Sequence, residues 1–191
     1  MEKDFLVIDF EFTQYRKQIG RPRGFFSEII EIGAVKVSAN FTVAQEKIEE
    51  FVKPHFYPKQ AKESMEFCSI TEADMKKAID FKDMLDKITN LYTPNETWFV
   101  AWGQEDYKVL EESCRRHGVD NPVKREDYLD LAEEARNVLE LAQTPGLIKT
   151  AETLEIKDDG HWHAAYADAV VASKILLRLC EKHEISFDKE S

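Results

Sequence analysis

The run Phe5-Leu6-Val7-Ile8-Asp9-Phe10-Glu11-Phe12 constrains this chain more than any other segment: it is apolar and β-prone enough to demand burial as a strand, yet it ends in two acids one residue apart. Side chains i and i+2 of a strand point to the same face, so Asp9 and Glu11 stand side by side, roughly 6 to 7 Å apart. Two carboxylates so placed repel, and a cation between them removes the conflict. Hard divalent ions take oxygen ligands, and a pair of them roughly 4 Å apart drives displacement at phosphorus. The alternative is an edge strand whose acidic face meets water.

With 191 residues, 43% of them hydrophobic, and no linker rich in Gly, Ser or Pro, the chain is expected to form one domain over residues 1–191, with a short C-terminal tail from about 184. No apolar run is long enough to span a bilayer, and Met1-Glu2-Lys3-Asp4 lacks the layout of a signal peptide, so a soluble, cytoplasmic protein is expected. Cys68, Cys114 and Cys180 are far apart and form no CxxC pair, which suits reduced, buried thiols better than disulfides or a thiolate zinc site. The 26 Lys and Arg against 37 Asp and Glu leave a net charge of −11, which opposes nonspecific binding of nucleic acid by overall charge. Any such contact must be local. Between Thr13 and Ser27 the chain supplies it: Arg16, Lys17, Arg21 and Arg23 occur with no acid, interleaved with Tyr15, Phe25 and Phe26 and punctuated by Gly20, Pro22 and Gly24. Such a loop can meet phosphates and stack on bases, or it can be an ordinary solvated loop.

The order of elements narrows the fold. Residues 28–37 read as a second strand, and Asn40 marks a turn into a third that ends near Val52, which together suggest an antiparallel meander. Thr71-Glu72-Ala73-Asp74 resembles a capping box and predicts a helix through Ile88, with Phe81, Leu85 and Ile88 on one face. Residues 97–102 read as a central strand that leads into a helix from Gln104 to His117, stopped at Gly118. Further helices are expected at about 127–142, 145–154 and 164–182, with Pro145 in a first turn. Strands first and helices after, with one strand-to-helix crossover, predict a three-layer α/β fold around a mixed sheet.

Two later segments carry candidate chemistry. His163 stands at the start of an alanine-rich helix and Asp168 about one turn into it, so a mobile imidazole can accept a proton from water while a fixed carboxylate binds metal; a capping histidine beside an ordinary helix acid is the plainer reading. Asp106 falls in the first turn of the helix after the central strand, where the helix dipole favours acids in any case. Together, Asp9, Glu11, Asp106 and Asp168 could converge at one end of a sheet with His163 as base.

In these motifs the chain resembles the DEDDh 3′-to-5′ exonucleases of the ribonuclease H-like superfamily. Asp9-Phe10-Glu11 matches the first motif, Asp106 the acid of the second, and His163 with Asp168 five residues later the third, together covering roughly residues 5 to 178. Residues 8–13, residues 24–33 and Trp102-Gly103 are similar to the branch that spans eukaryotic histone-mRNA exonucleases and bacterial sporulation inhibitors of the KapD type. The chain has Glu105 where relatives often carry an aromatic residue, leaving Glu105 and Asp106 both open as the second-motif acid, and Ala164 where a basic residue often follows the histidine. The resemblance implies two Mg²⁺ or Mn²⁺ ions, with Asp9 bridging, Glu11 and Asp168 completing the ion that activates water, and Asp106 holding the second through water. It further implies that His163 deprotonates the attacking water and that Phe10, Phe12 and Thr13 lie near the terminal nucleotide of single-stranded RNA or DNA, RNA being favoured. Two other readings stand beside it: a noncatalytic regulator that binds nucleic acid or a protein, and a mononuclear zinc hydrolase built on His161-x-His163.

Overall fold

Strand β1 (Asp4–Phe12) sorts its side chains as the alternation requires: Leu6, Ile8 and Phe10 enter one apolar core, Phe5 and Val7 the other. A computed structural model describes residues 3–15, 19–157 and 163–183, so Arg16, Lys17, His161 and the tail from 184 lie outside the described residues. β1 is central in a five-stranded sheet of order β3-β2-β1-β4-β5. β2 (Ile29–Val37) and β3 (Val43–Phe51) complete the expected antiparallel meander, while β4 (Thr97–Ala101) and β5 (Tyr128–Asp130) run parallel to β1. The sheet is mixed, as anticipated.

Helices cover both faces. On one lie α3 (Phe81–Leu91) and α4 (Glu105–His117), contributing Met84, Ile88 and Leu110 to the core with Leu6, Ile8 and Phe99. On the other lie α5 (Leu131–Val138), α6 (Leu147–Thr153) and α7 (Ala165–His183), where Ile175, Leu176 and Leu179 pack on Val7, Val35 and Val100. α4 stops at Gly118, whose φ of 67° is the left-handed conformation that closes a helix end. All three cysteines are free and buried. No helix among the described residues is long and apolar enough to cross a membrane.

Four helical segments differ from expectation. The capping box at Thr71 forms, with Asp74 returning the bond, but helix α2 (Glu72–Met75) ends after four residues. Ile79 is drawn out into a parallel bridge with Val52, and Asp80 precedes a new helix. The helix expected from residue 127 begins only at Leu131, because Tyr128–Asp130 add to the edge of β4 and Asp130 then caps α5 by accepting the Glu133 N–H at 3.1 Å. Pro145 lies just outside α6, whose N-cap is Gly146. Helix α1 (Pro58–Phe67) was not anticipated, although Pro58 at its first position is a recognised start signal.

Candidate active site

The acids meet where β1 ends. Asp9 and Glu11 leave β1 on the face covered by α7, and Glu31 of β2 stands directly opposite Glu11 in the antiparallel register. Asp106, in the first turn of α4, is only 6% exposed, and its Oδ1 accepts the Phe10 N–H at 2.9 Å, which sets it beside Asp9. Glu105 turns outward and pairs with Lys108 at 2.8 Å, so of the two neighbours Asp106 is the one that faces the cluster. The loop that launches α4 is clamped from two sides: the Tyr128 hydroxyl donates to the Gly103 carbonyl, and Trp102 Nε1 donates to the Pro145 carbonyl at 3.2 Å.

The last members arrive on α7, and β2 seats them. A Cβ on Gly33 would come within 2.1 to 2.3 Å of the backbone of Ala165 and Tyr166, so only glycine lets the start of α7 lie directly on the strand. Beside it the Glu31 carboxylate accepts the Ala165 N–H, satisfying a donor at the helix start. Asp168 sits one turn further in, and its Oδ2 accepts the His163 N–H at 3.2 Å. His163 itself is exposed and has φ 64°, a conformation that costs a non-glycine residue roughly 1 kcal/mol. Glu11, His163 and Asp168 each offer one ligand atom, and these lie within 4.8 Å of one another.

Electrostatics mark the same place. Burial, reinforced by Asp106, Asp168, Glu11 and Glu31, holds the Asp9 carboxyl well above the usual range. Burial pushes Asp106 up to about 7 although two backbone N–H groups oppose the shift, and pushes Glu31 up to about 7 against the Ala165 N–H. Glu11 is also raised by burial, moderated by a hydrogen bond from the Cys68 thiol at 3.1 Å and by nearby His163. A buried group of acids that raise one another's pKa values is a donor set short of positive charge, and hard oxygens in that arrangement suit Mg²⁺ or Mn²⁺.

The expected substrate contacts fare differently. Phe10 is 3% exposed and lies in the core, and Thr13 is 0% exposed, its hydroxyl accepting the Glu28 N–H at 2.9 Å. Neither side chain is available to a nucleotide: the β1 alternation that turns Asp9 and Glu11 to one face turns Phe10 to the other, and Thr13 ties the end of β1 to the start of β2. Phe12 is partly buried against the same core. Arg21 and Arg23 are exposed, with the Arg21 guanidinium 5.3 Å from the Phe25 ring centroid. The aromatic surface beside the cluster comes instead from Phe67, at the end of α1, 47% exposed and 4.6 Å from the His163 ring. Phe67, Glu31 and Gly33 were not singled out from sequence; an apolar side chain at an exposed helix end was the signal for the first, whereas the other two become visible only through strand register.

A mixed sheet with helices on both faces and an acidic cluster at the end of its central strand defines a class of nucleases. The exonuclease (RNase_T) family profile matches residues 6–176, and the chain belongs to that family. It is 33% identical over 184 residues, 96% of its own length and 87% of the relative's, to the probable 3′-5′ exonuclease KapD of Bacillus subtilis (strain 168). The nuclease domain of 3′hExo, a DEDDh family member bound to rAMP, superposes with a TM-score of 0.82 at 21% identity, covering 100% of this chain and 98% of that one. E. coli exonuclease I in complex with a dT13 oligonucleotide gives 0.73 at 17% identity over 95% of this chain and 42% of that one. These likenesses identify the three-layer fold as ribonuclease H-like.

Proposed function

We propose that this exonuclease works from the 3′ end, uses two divalent ions, and releases nucleoside monophosphates from single-stranded nucleic acid, RNA more readily than DNA. The observation that carries the reading is the convergence of Asp9, Glu11, Asp106 and Asp168 with His163 at the end of β1. Asp9, between the other acids, with Glu11 and Asp168 would hold one ion, and Asp106 with Asp9 would hold the other. When bound, such ions lower the pKa of an attacking water and steady the leaving oxygen of an in-line displacement. His163 takes the proton of that water on a ring nitrogen, a task that suits an imidazole at neutral pH and an exposed position next to Asp168.

Phe67 offers its face to the terminal base, and Arg21 and Arg23, with Arg16 and Lys17 of the same loop, meet backbone phosphates. The rAMP bound to 3′hExo supports a ribonucleotide substrate, and the oligonucleotide on exonuclease I supports a single strand. The test presents purified protein and Mn²⁺ with labelled RNA and DNA strands blocked at either end. Shortening from free 3′ ends, faster on RNA, is expected. Digestion of 3′-blocked strands from the 5′ end, or no digestion of either polymer, would overturn the reading.

A further inference from the structure

Away from the acids, a cavity of about 500 Å³ opens between the segment after β3 and the start of α3. Lys53, His55, Asp80, Phe81, Lys82 and His117 line it, and the His117 ring lies flat on Phe81 at 4.2 Å and 12°. A planar, half-buried ring beside two lysine amines can take a base or sugar against the ring and a phosphate on the amines. One acid, Asp80, shares the lining with these cations. Glu28 is buried and accepts the N–H groups of His55, Phe56 and Tyr57 at 2.6 to 2.7 Å, and Asp80 faces Lys53 at 3.3 Å in an exposed pair. Lys82 has no acidic partner among the described residues.

The cavity is also connected to the basic loop. Phe26 meets Phe56 at 5.1 Å and Phe56 meets His117 at 5.0 Å, while the Arg116 guanidinium lies 4.8 Å over Phe26. Phe26 is buried and Arg116 also pairs with Glu112 at 2.7 Å, so these contacts tie the end of the basic loop to the cavity wall by packing. α1 starts next to Tyr57, which touches Phe26, and ends at Phe67 beside His163, ten residues or about 15 Å away. A few nucleotides of single strand span the length of α1.

We infer that the Lys53–His55–Lys82–His117 cavity is a remote subsite for the substrate strand, holding a phosphate and its nucleoside several positions to the 5′ side of the bond being cut. The inference rests on the exonuclease reading and deepens it. It makes affinity depend on strand length: oligonucleotides too short to reach the cavity gain nothing from it, and longer ones do.

The experiment measures kcat/KM for 3′-hydroxyl RNA of increasing length, with Mn²⁺ saturating, for wild type and for Lys53→Ala/Lys82→Glu; His117→Leu, which keeps the packing volume on Phe81, is a second variant. In wild type, kcat/KM should rise with length and level off once the cavity is reached. In both variants that rise should be lost through KM, with kcat and the shortest substrate unchanged, and in the lysine variant the salt dependence of long-strand binding should become shallower by about 0.7 in log–log slope per lysine removed. An unaltered length profile in both variants, or a wild type that cuts every length alike, would overturn the subsite alone. No cleavage at any length by wild type would overturn the exonuclease reading and the subsite with it.

Discussion

His163 combines two unusual properties in one residue: a left-handed backbone and an exposed ring beside a buried acid. Its conformation opposes folding slightly, so the side chain is better explained by chemistry than by stability. Replacing it with Asn, which tolerates left-handed φ, should leave the melting temperature unchanged or slightly higher while the single-turnover rate on a 3′-hydroxyl oligonucleotide falls roughly 10² to 10⁴-fold. A rate near wild type would move the base to another group, with His161 the first to examine. Asp9→Ala differs in kind, since it removes the ligand between the other acids: metal-dependent cleavage should vanish, and the metal-free protein should melt higher because a buried, repelled carboxyl is gone. At this scale the sequence was largely readable. Asp9 and Glu11 follow from the period of two in β1, and Asp106 from its place in a first helical turn. The burial of Phe10, turned to the opposite face by the alternation, and of Thr13, held by the Glu28 N–H, was not legible from the residues alone.

Among the elements, β2 does more than complete the sheet, because Glu31 and Gly33 fix where α7 begins and hence where Asp168 and His163 stand. Gly33→Ala forces a backbone against a methyl group and should lower the affinity for Mn²⁺, read by calorimetry, more than it lowers stability. Glu31→Gln keeps an acceptor for the Ala165 N–H and should retain most of the metal affinity, whereas Glu31→Ala should not. Equal behaviour of the Gln and Ala variants would show that the bond to Ala165 is dispensable. If the basic loop meets phosphates, Arg21→Ala with Arg23→Ala should weaken single-strand binding and flatten its salt dependence while turnover at saturation persists. None of the β2 seat could be read in advance, because it depends on which residue of α7 meets which residue of the strand. The broken helix at residues 76–80 has a similar origin, since the bridge from Ile79 to Val52 is a long-range pairing that overrides local propensity. β5 escaped notice because three residues leave almost no periodicity to detect.

For the molecule as a whole, the acids couple stability to pH and to metal. Asp106 and Glu31, pushed up to about 7, keep protons in the folded state that the unfolded chain has lost, so their contribution to stability is complete below their unfolded values and disappears as pH rises through about 7. The metal-free protein is therefore expected to melt at a higher temperature near pH 5.5 than near pH 7.5, by a margin that shrinks in Asp106→Asn. Divalent ions compete with those protons, so saturating Mg²⁺ or Mn²⁺ should raise the melting temperature more at the higher pH; a hundredfold excess over Kd corresponds to about 2.7 kcal/mol. A shift independent of pH would separate the metal from the acids.

The order in which these parts are made has its own consequence. β1, β2 and β3 are neighbours in sequence and can pair early, but α7, which packs on β1 and β2, lies at the far end of the described chain. A ribosome therefore exposes Asp9 and Glu11 long before Asp168 exists. A chain interrupted before α7 lacks Asp168 and the seat for His163, and should show no exonuclease activity. The acid cluster is whole only once α7 has been added.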